Sequence, residues 1–212
     1  MTKVHPTAHD YIPAAGRDWT LPFYDTMTRL AGVRALHRRL VAGADLASGQ
    51  RVLEIGCGTG NLSTAVKRAE PGVELTAIDP DPLALDRARR KSSTIDFRIG
   101  YAQELPFADE TVDRAFSSLM LHHLDPESVK SALAELFRVC KPGGSVHVVD
   151  FIEVRGLFAR MGHHHFPGVD QLSQLMTDAG FASVEVETEH RRLVGEFAYV
   201  RATRATGPTD SE

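Results

Sequence analysis

The segment Glu54-Ile55-Gly56-Cys57-Gly58-Thr59-Gly60 limits what this chain can fold into more than any other. It follows Arg51-Val52-Leu53-Glu54-Ile55, a short apolar run closed by glycines, as a buried parallel strand is. A helix is expected to start at Asn61 and run to Glu70, with Pro71-Gly72 as its stop. A strand that enters a glycine turn and then a helix aims backbone N–H groups and a positive helix end at one place. That place is the carboxyl edge of the sheet. Gly56, Gly58 and Gly60 allow positive φ and let a ligand approach the backbone closely. By itself the turn does not name its ligand, because nicotinamide and flavin enzymes use a similar one.

The rest of the chain repeats the alternation. From Pro22 the pattern turns helical, with Leu30, Val33, Leu36, Leu40, Val41 and Ala44 at roughly helical spacing and Arg34, His37, Arg38 and Arg39 between them. Strands are expected at 73–78, 95–99, 112–119 and 146–151. Asp81 and Asp125 stand as caps of helices that begin with Pro82 and Pro126. The second of these helices stops at Lys141-Pro142-Gly143-Gly144, and another, carrying Leu172, Leu175, Met176 and Ala179, ends at Gly180. Two closing strands follow, 182–189 and 197–203. The first alternates apolar with polar residues, as an edge strand does. Strands alternating with helices imply an α/β fold, a Rossmann-like three-layer sandwich on a mostly parallel sheet, preceded by N-terminal helices. The last two strands imply an antiparallel pair. Residues 1–20 read as an extended lead-in, 21–203 as one domain with lid helices at its start, and 204–212 as a flexible tail.

Composition excludes several classes. The 212 residues, 42% hydrophobic and 25% charged, are those of an ordinary globular domain. A formal charge of -4 argues against a dedicated nucleic-acid binder. Two cysteines, Cys57 and Cys140, are too few for a disulfide framework, so a reducing cytoplasm is expected. No apolar stretch reads as a signal peptide or a membrane span.

Three details narrow the ligand. The spacing is G-x-G-x-G, and Asn61 stands where a dinucleotide fingerprint wants its third glycine. Glu54 would meet a pyrophosphate with like charge but suits a ligand carrying an ammonium group. Asp79 ends the next strand, where a carboxylate can accept hydrogen bonds from ribose hydroxyls.

Val52-Leu53-Glu54-Ile55-Gly56-Cys57-Gly58-Thr59-Gly60 resembles the first motif of class I S-adenosylmethionine (SAM)-dependent methyltransferases. The likeness extends over roughly residues 45–203. It is reinforced by Glu104-Leu105-Pro106-Phe107, Leu121-His122-His123-Leu124, Arg138-Val139 and Lys141-Pro142-Gly143-Gly144. The branch it most resembles holds ubiquinone and menaquinone biosynthesis methyltransferases. The resemblance implies a seven-stranded sheet whose last strand inserts antiparallel, with SAM as methyl donor and S-adenosylhomocysteine (SAH) as product. It also implies a cofactor site of Glu54, Gly56, Cys57, Gly58, Gly60, Asn61, Asp79, Pro80, Ala102, Gln103 and Leu119. Among these, Glu54, Gly56 and Gly58 would hold the methionine end, Asp79 the ribose, Ala102-Gln103 would border the adenine, and Leu119 the sulfonium. Relatives usually show Asp-Ala-Glu where this chain has Tyr101-Ala102-Gln103, so the usual carboxylate partner of the adenine amino group is missing.

His122, His123 and Tyr24 are the candidate catalytic groups. Either histidine could serve as a general base or only shape its loop. Tyr24 could fold over the cofactor, with Arg17 and Trp19 in the same lid, or sit in the core. His163-His164-His165 reads better as a loop over the pocket than as a metal site, since adjacent residues cannot easily face one ion. No metal is expected, and Cys57 is read as a small packed side chain. The expected partner is a small-molecule acceptor, with no nucleic acid and a homodimer allowed. Rival readings are a protein or RNA acceptor, a SAM-binding protein that does not catalyse, and a nicotinamide oxidoreductase, which the glycine spacing disfavours.

Overall fold

The computed structural model describes residues 32–154, 168–191 and 195–207. Tyr24, Arg17, Trp19, the three consecutive histidines 163–165 and the lead-in 1–20 lie outside them. The described elements are α1 (Val33–Ala42), β1 (Arg51–Ile55), α2 (Asn61–Ala69), β2 (Glu74–Asp79), α3 (Pro82–Lys91), β3 (Asp96–Ile99) and β4 (Val112–Ser118). A 3-10 turn (Leu121–His123) then leads to α4 (Pro126–Val139), β5 (Cys140–Val154), α5 (Val169–Asp178), β6 (Ser183–Arg191) and β7 (Gly195–Thr203).

The central strands are apolar on both faces because both are covered. Along each strand successive side chains enter opposite layers. Leu53, Ile78, Ala115 and Val148 join α4 and α5 in one core. Val52, Ala77, Phe116 and Val149 join α1, α2 and α3 in the other. The result is the expected three-layer sandwich. The sheet order is β3-β2-β1-β4-β5-β7-β6. All contacts from β3 to β5 are parallel, whereas β7 runs antiparallel to both β5 and β6. β6 is the edge, in keeping with its alternating pattern.

Several boundaries differ from the sequence reading. β5 begins at Cys140, not Val146, because Lys141-Pro142-Gly143-Gly144 forms a bulge inside the strand rather than a loop before it. Gly143 there has φ 76°, and the backbones of Gly143 and Gly144 bond to Arg204. Arg204 also donates to the carbonyls of Phe137 and Cys140, both at 2.9 Å, so it is anchored rather than part of a free tail. The last two strands are longer than expected, since their pairing continues to Arg191 opposite Gly195. Asp81 and Asp125 do cap α3 and α4, their carboxylates accepting from the second and third amides beyond each.

Candidate functional site

β1 and β4 are the centre of the parallel sheet, and their carboxyl ends open into one cavity of about 210 Å³. The glycine loop forms its floor. Gly56, Gly58 and Gly60 have φ of 64°, 50° and 76°, values that a side chain would strain. Cys57 N–H donates to the Ile78 carbonyl at 3.0 Å, tying the loop to β2. A clip from α3 holds the far side, where the Lys91 ammonium reaches Thr59 Oγ1 at 3.1 Å and Asn61 Oδ1 at 2.8 Å. Gly60 is beneath the loop rather than on the cavity wall: a Cβ there would lie 3.0 Å from Ala88 and 3.1 Å from Phe97. It serves helix–sheet packing.

Two buried carboxylates face the loop. Glu54 is 2% exposed and accepts the Ser63 hydroxyl from the first turn of α2. Burial pushes its pKa up to about 8; the Ser63 bond opposes this and the nearby Asp79 charge adds to it. A carboxylate so placed is costly to ionise until a cation arrives, which suits an ammonium group. Asp79 accepts the Gly58 amide at 2.7 Å on one oxygen and the Asp81 amide at 2.9 Å on the other. Burial raises its pKa above the ordinary value, and those two amides offset only part of the effect. Each oxygen keeps a second lone pair for a hydroxyl donor. Asp79 therefore shapes the loop as well as facing the cavity. Cys57 is buried, and burial followed by the charges of Glu54 and Asp79 holds its thiol well above the ordinary pKa, unsuited to a nucleophile.

The opposite wall comes from the chain after β4. Leu119 has φ 54°, an uncommon conformation for a leucine, and its N–H bonds Val149 O at 2.8 Å. Backbone strain of this kind gathers at functional sites. The turn brings Leu119, Met120 and His123 onto the cavity wall. Met120 folds over Gly56 so closely that a Cβ on that glycine would sit 2.1 Å from Met120 Cγ.

The adjacent histidines part company. His123 lines the cavity, whereas His122 is 6% exposed beneath it. The His122 Nδ1 is 2.5 Å from Asp150 Oδ1, and its N–H donates to Asp150 Oδ2 at 3.3 Å. Burial alone would raise the Asp150 carboxyl; the His122 ring and two backbone amides outweigh it and hold the pKa below the ordinary value. The His122 ring also lies 4.1 Å from that of His123, centroid to centroid. His122 thus anchors the turn on which His123 stands.

Pro80, Ala102 and Gln103 line the outer end of the cavity, and Asn61 its rim. Residues not singled out in the sequence complete it, above all Val33 and His37 of α1 and Ser118 at the end of β4. His37 stands beside Arg38 and Arg39 in the sequence, but it is 7% exposed and its Nε2 lies 3.0 Å from Ser118 Oγ. Burial lowers its pKa to about 4, so the ring is neutral at pH 7. Its place at helical spacing from Val33 and Leu40 was the one signal that could have moved it inward.

A parallel sheet with a glycine loop after its first strand and an acid at the end of its second defines a Rossmann-like, nucleoside-binding protein. Residues 52–144 match the family model described as a methyltransferase domain. The chain is 36% identical over 141 residues to the demethylmenaquinone methyltransferase of Renibacterium salmoninarum, covering 65% of this chain and 58% of that protein. It is 32% identical over 146 residues to the malonyl-[acyl-carrier protein] O-methyltransferase of Serratia marcescens, covering 69% of this chain and 55% of that one. It thus spans a little more than half the length of these relatives. In fold it resembles the phosphoethanolamine N-methyltransferase 2 of Haemonchus contortus, solved with SAH, at a TM-score of 0.71 and 15% identity, over 81% of this chain and 53% of that one. The chain thus carries a methyltransferase domain over residues 52–144 and resembles the class I SAM-dependent methyltransferases, the ubiquinone and menaquinone enzymes among them. No helix among the described residues is long and apolar enough to cross a membrane.

Proposed function

We propose that the chain binds SAM in this cavity and transfers its methyl group to a small-molecule acceptor. The observation that carries the reading is Glu54: a buried carboxylate under the glycine loop, with a pKa near 8, is fitted to an ammonium ligand and ill fitted to a pyrophosphate. When bound, SAM supplies an electrophilic methyl on a sulfonium, so the protein's task is alignment and exclusion of water. Glu54 takes the ammonium, with Gly56 and Gly58 beside the methionine end. Asp79 takes the ribose hydroxyls, Pro80 and Ala102 flank the base, and Leu119 and Met120 line the sulfonium. The acceptor enters between α1 and the β4 turn, facing His37, Ser118 and His123. In this reading His123, on the cavity wall, receives an acceptor proton, and His122 with Asp150 holds its turn.

A small acceptor fits the name of one relative, demethylmenaquinone methyltransferase, whereas the other relative's name gives a malonyl group borne on a carrier protein. Incubation with methyl-labelled SAM and panels of phenols, quinols, amines and carboxylates tests the reading. Transfer to one class, abolished in a Glu54→Gln variant, is the expected result. Binding of SAH with transfer to none of them would favour a macromolecular acceptor or a non-catalytic role.

A further inference from the structure

α1, α2 and α3 cover one face of the sheet, so their outward stripes make up one side of the molecule. Residues three and four apart on a helix share a stripe. Arg34 and Arg38 share that of α1, Arg68 stands on that of α2, and Leu83, Arg87 and Arg90 share that of α3. All of these arginines are exposed except Arg87, which is half-buried. None of them has a hydrogen bond or ion pair among the described residues. Every other described arginine is held, as Arg138 is by Glu135 and Asp109, and Arg204 by Glu110.

The acids lie elsewhere. α1 and α2 carry none, and Asp86 of α3 is taken by Arg89 at 3.2 Å. The chain nonetheless has a formal charge of -4, with exposed Asp170 and Asp178 on α5 and Glu185 and Glu187 on β6. Charge is therefore separated across the molecule, and the guanidinium groups of the α1–α3 side are left open to phosphates, which their planar donor fork suits.

Two apolar side chains share that side. Leu83 is 48% exposed and Ile99 59%, the large apolar residues that stay exposed among those described. Leu83 begins the stripe of Arg87 and Arg90. Ile99 is two residues along β3 from Phe97, which packs in the α1–α3 layer, so it faces the same way. Ile99 also pairs opposite Asp79, which puts both side chains at the carboxyl edge of the sheet beside Pro80 and Gly100 of the cavity wall. A nucleic acid would meet no aromatic ring on these helices to stack its bases on, and its phosphates would leave Leu83 and Ile99 unserved. An anionic bilayer supplies both phosphates and an apolar layer.

We propose that the α1–α3 side docks on an anionic phospholipid surface, its arginines on the headgroup phosphates and Leu83 and Ile99 at the acyl boundary. Docking holds the outer end of the cavity at the membrane surface instead of in bulk water.

Sedimentation of the full chain with phosphatidylcholine vesicles, alone or with about 30% phosphatidylglycerol, tests this at about 0.1 M salt. Binding is expected to be at least tenfold tighter to the charged vesicles and to weaken as salt is raised. Arg34→Gln/Arg38→Gln is expected to lose about tenfold or more, and Leu83→Ser about threefold at unchanged charge. Thermal unfolding and SAH affinity are expected to stay as in the wild type in both variants, since these residues lie off the cavity wall. Equal binding to the two kinds of vesicle, or binding that neither variant weakens, would overturn the proposal. So would retention on heparin together with indifference to Leu83→Ser, which makes the partner an anionic polymer. A wild type that binds charged vesicles but not SAH removes the SAM reading alone.

Discussion

Ionisation of Glu54 makes cofactor binding a proton-releasing event. With a pKa near 8 in the empty site, this carboxyl is about nine-tenths protonated at pH 7, yet an ammonium ligand requires it ionised. Each pH unit below 8 adds about 1.4 kcal/mol to the cost of binding. The dissociation constant for SAH is therefore expected to fall roughly tenfold between pH 6 and pH 7, below the ~7.7–8 range of an α-amino group, and to level off near pH 8. Stability of the empty protein moves the other way. The folded pKa lies above the ordinary carboxylate value, so the folded state holds the extra proton and stability declines as pH rises from about 4.5 toward 8. The loss is of order 5 kcal/mol at most, with Asp79, also raised by burial, adding in the same direction. Glu54→Gln isolates the effect, since the amide oxygen can still accept the Ser63 hydroxyl. Calorimetry in buffers of different ionisation enthalpy should report roughly 0.9 proton released at pH 7 in the wild type and far less in the variant. A pH-independent affinity in the wild type, or the same slope in Glu54→Gln, would refute the reasoning.

Four further outcomes follow from the geometry. Asp79→Ala leaves the Gly58 amide without its acceptor and the ribose without its partner, and should weaken SAH binding at least tenfold by calorimetry. Gly58→Ala, with nothing within 4 Å of the added carbon, should cost only the left-handed strain of about 1–2 kcal/mol in urea unfolding. Gly60→Ala adds a clash with Ala88 and Phe97 and should cost more, about 2–4 kcal/mol in the same assay; equal losses would show that the packing does not matter. Asp150→Asn should destabilise the fold by about 2–4 kcal/mol while leaving SAH affinity within a few-fold, as measured by thermal unfolding and calorimetry.

The glycine loop was legible because its information is local. Positive φ at Gly56, Gly58 and Gly60 is a property of residue type, and the strand before it and helix after it follow from apolar runs and stops. Asp81 and Asp125 were legible as caps for the same reason. Lys141-Pro142-Gly143-Gly144 carried turn chemistry too, but whether such a run makes a loop or a bulge depends on the strand beside it. Here Arg204, far along the chain, pairs with the bulge.

His37 and the two adjacent histidines mark the boundary more sharply. His37 and Ser118 are 81 residues apart in sequence, and only the packing of α1 across the sheet brings them within hydrogen-bond reach. His122 and His123 are neighbours of the same type, so no pattern could separate the one bound to Asp150 from the one on the cavity wall. The sequence alone determined the alternation of strands and helices, the ligand-seeking loop and the acid at the end of β2. These are encoded in backbone preference and periodicity. The tertiary structure decided which side chains meet over that loop, because contacts across a sheet depend on strand order and on layers that no short stretch of chain contains.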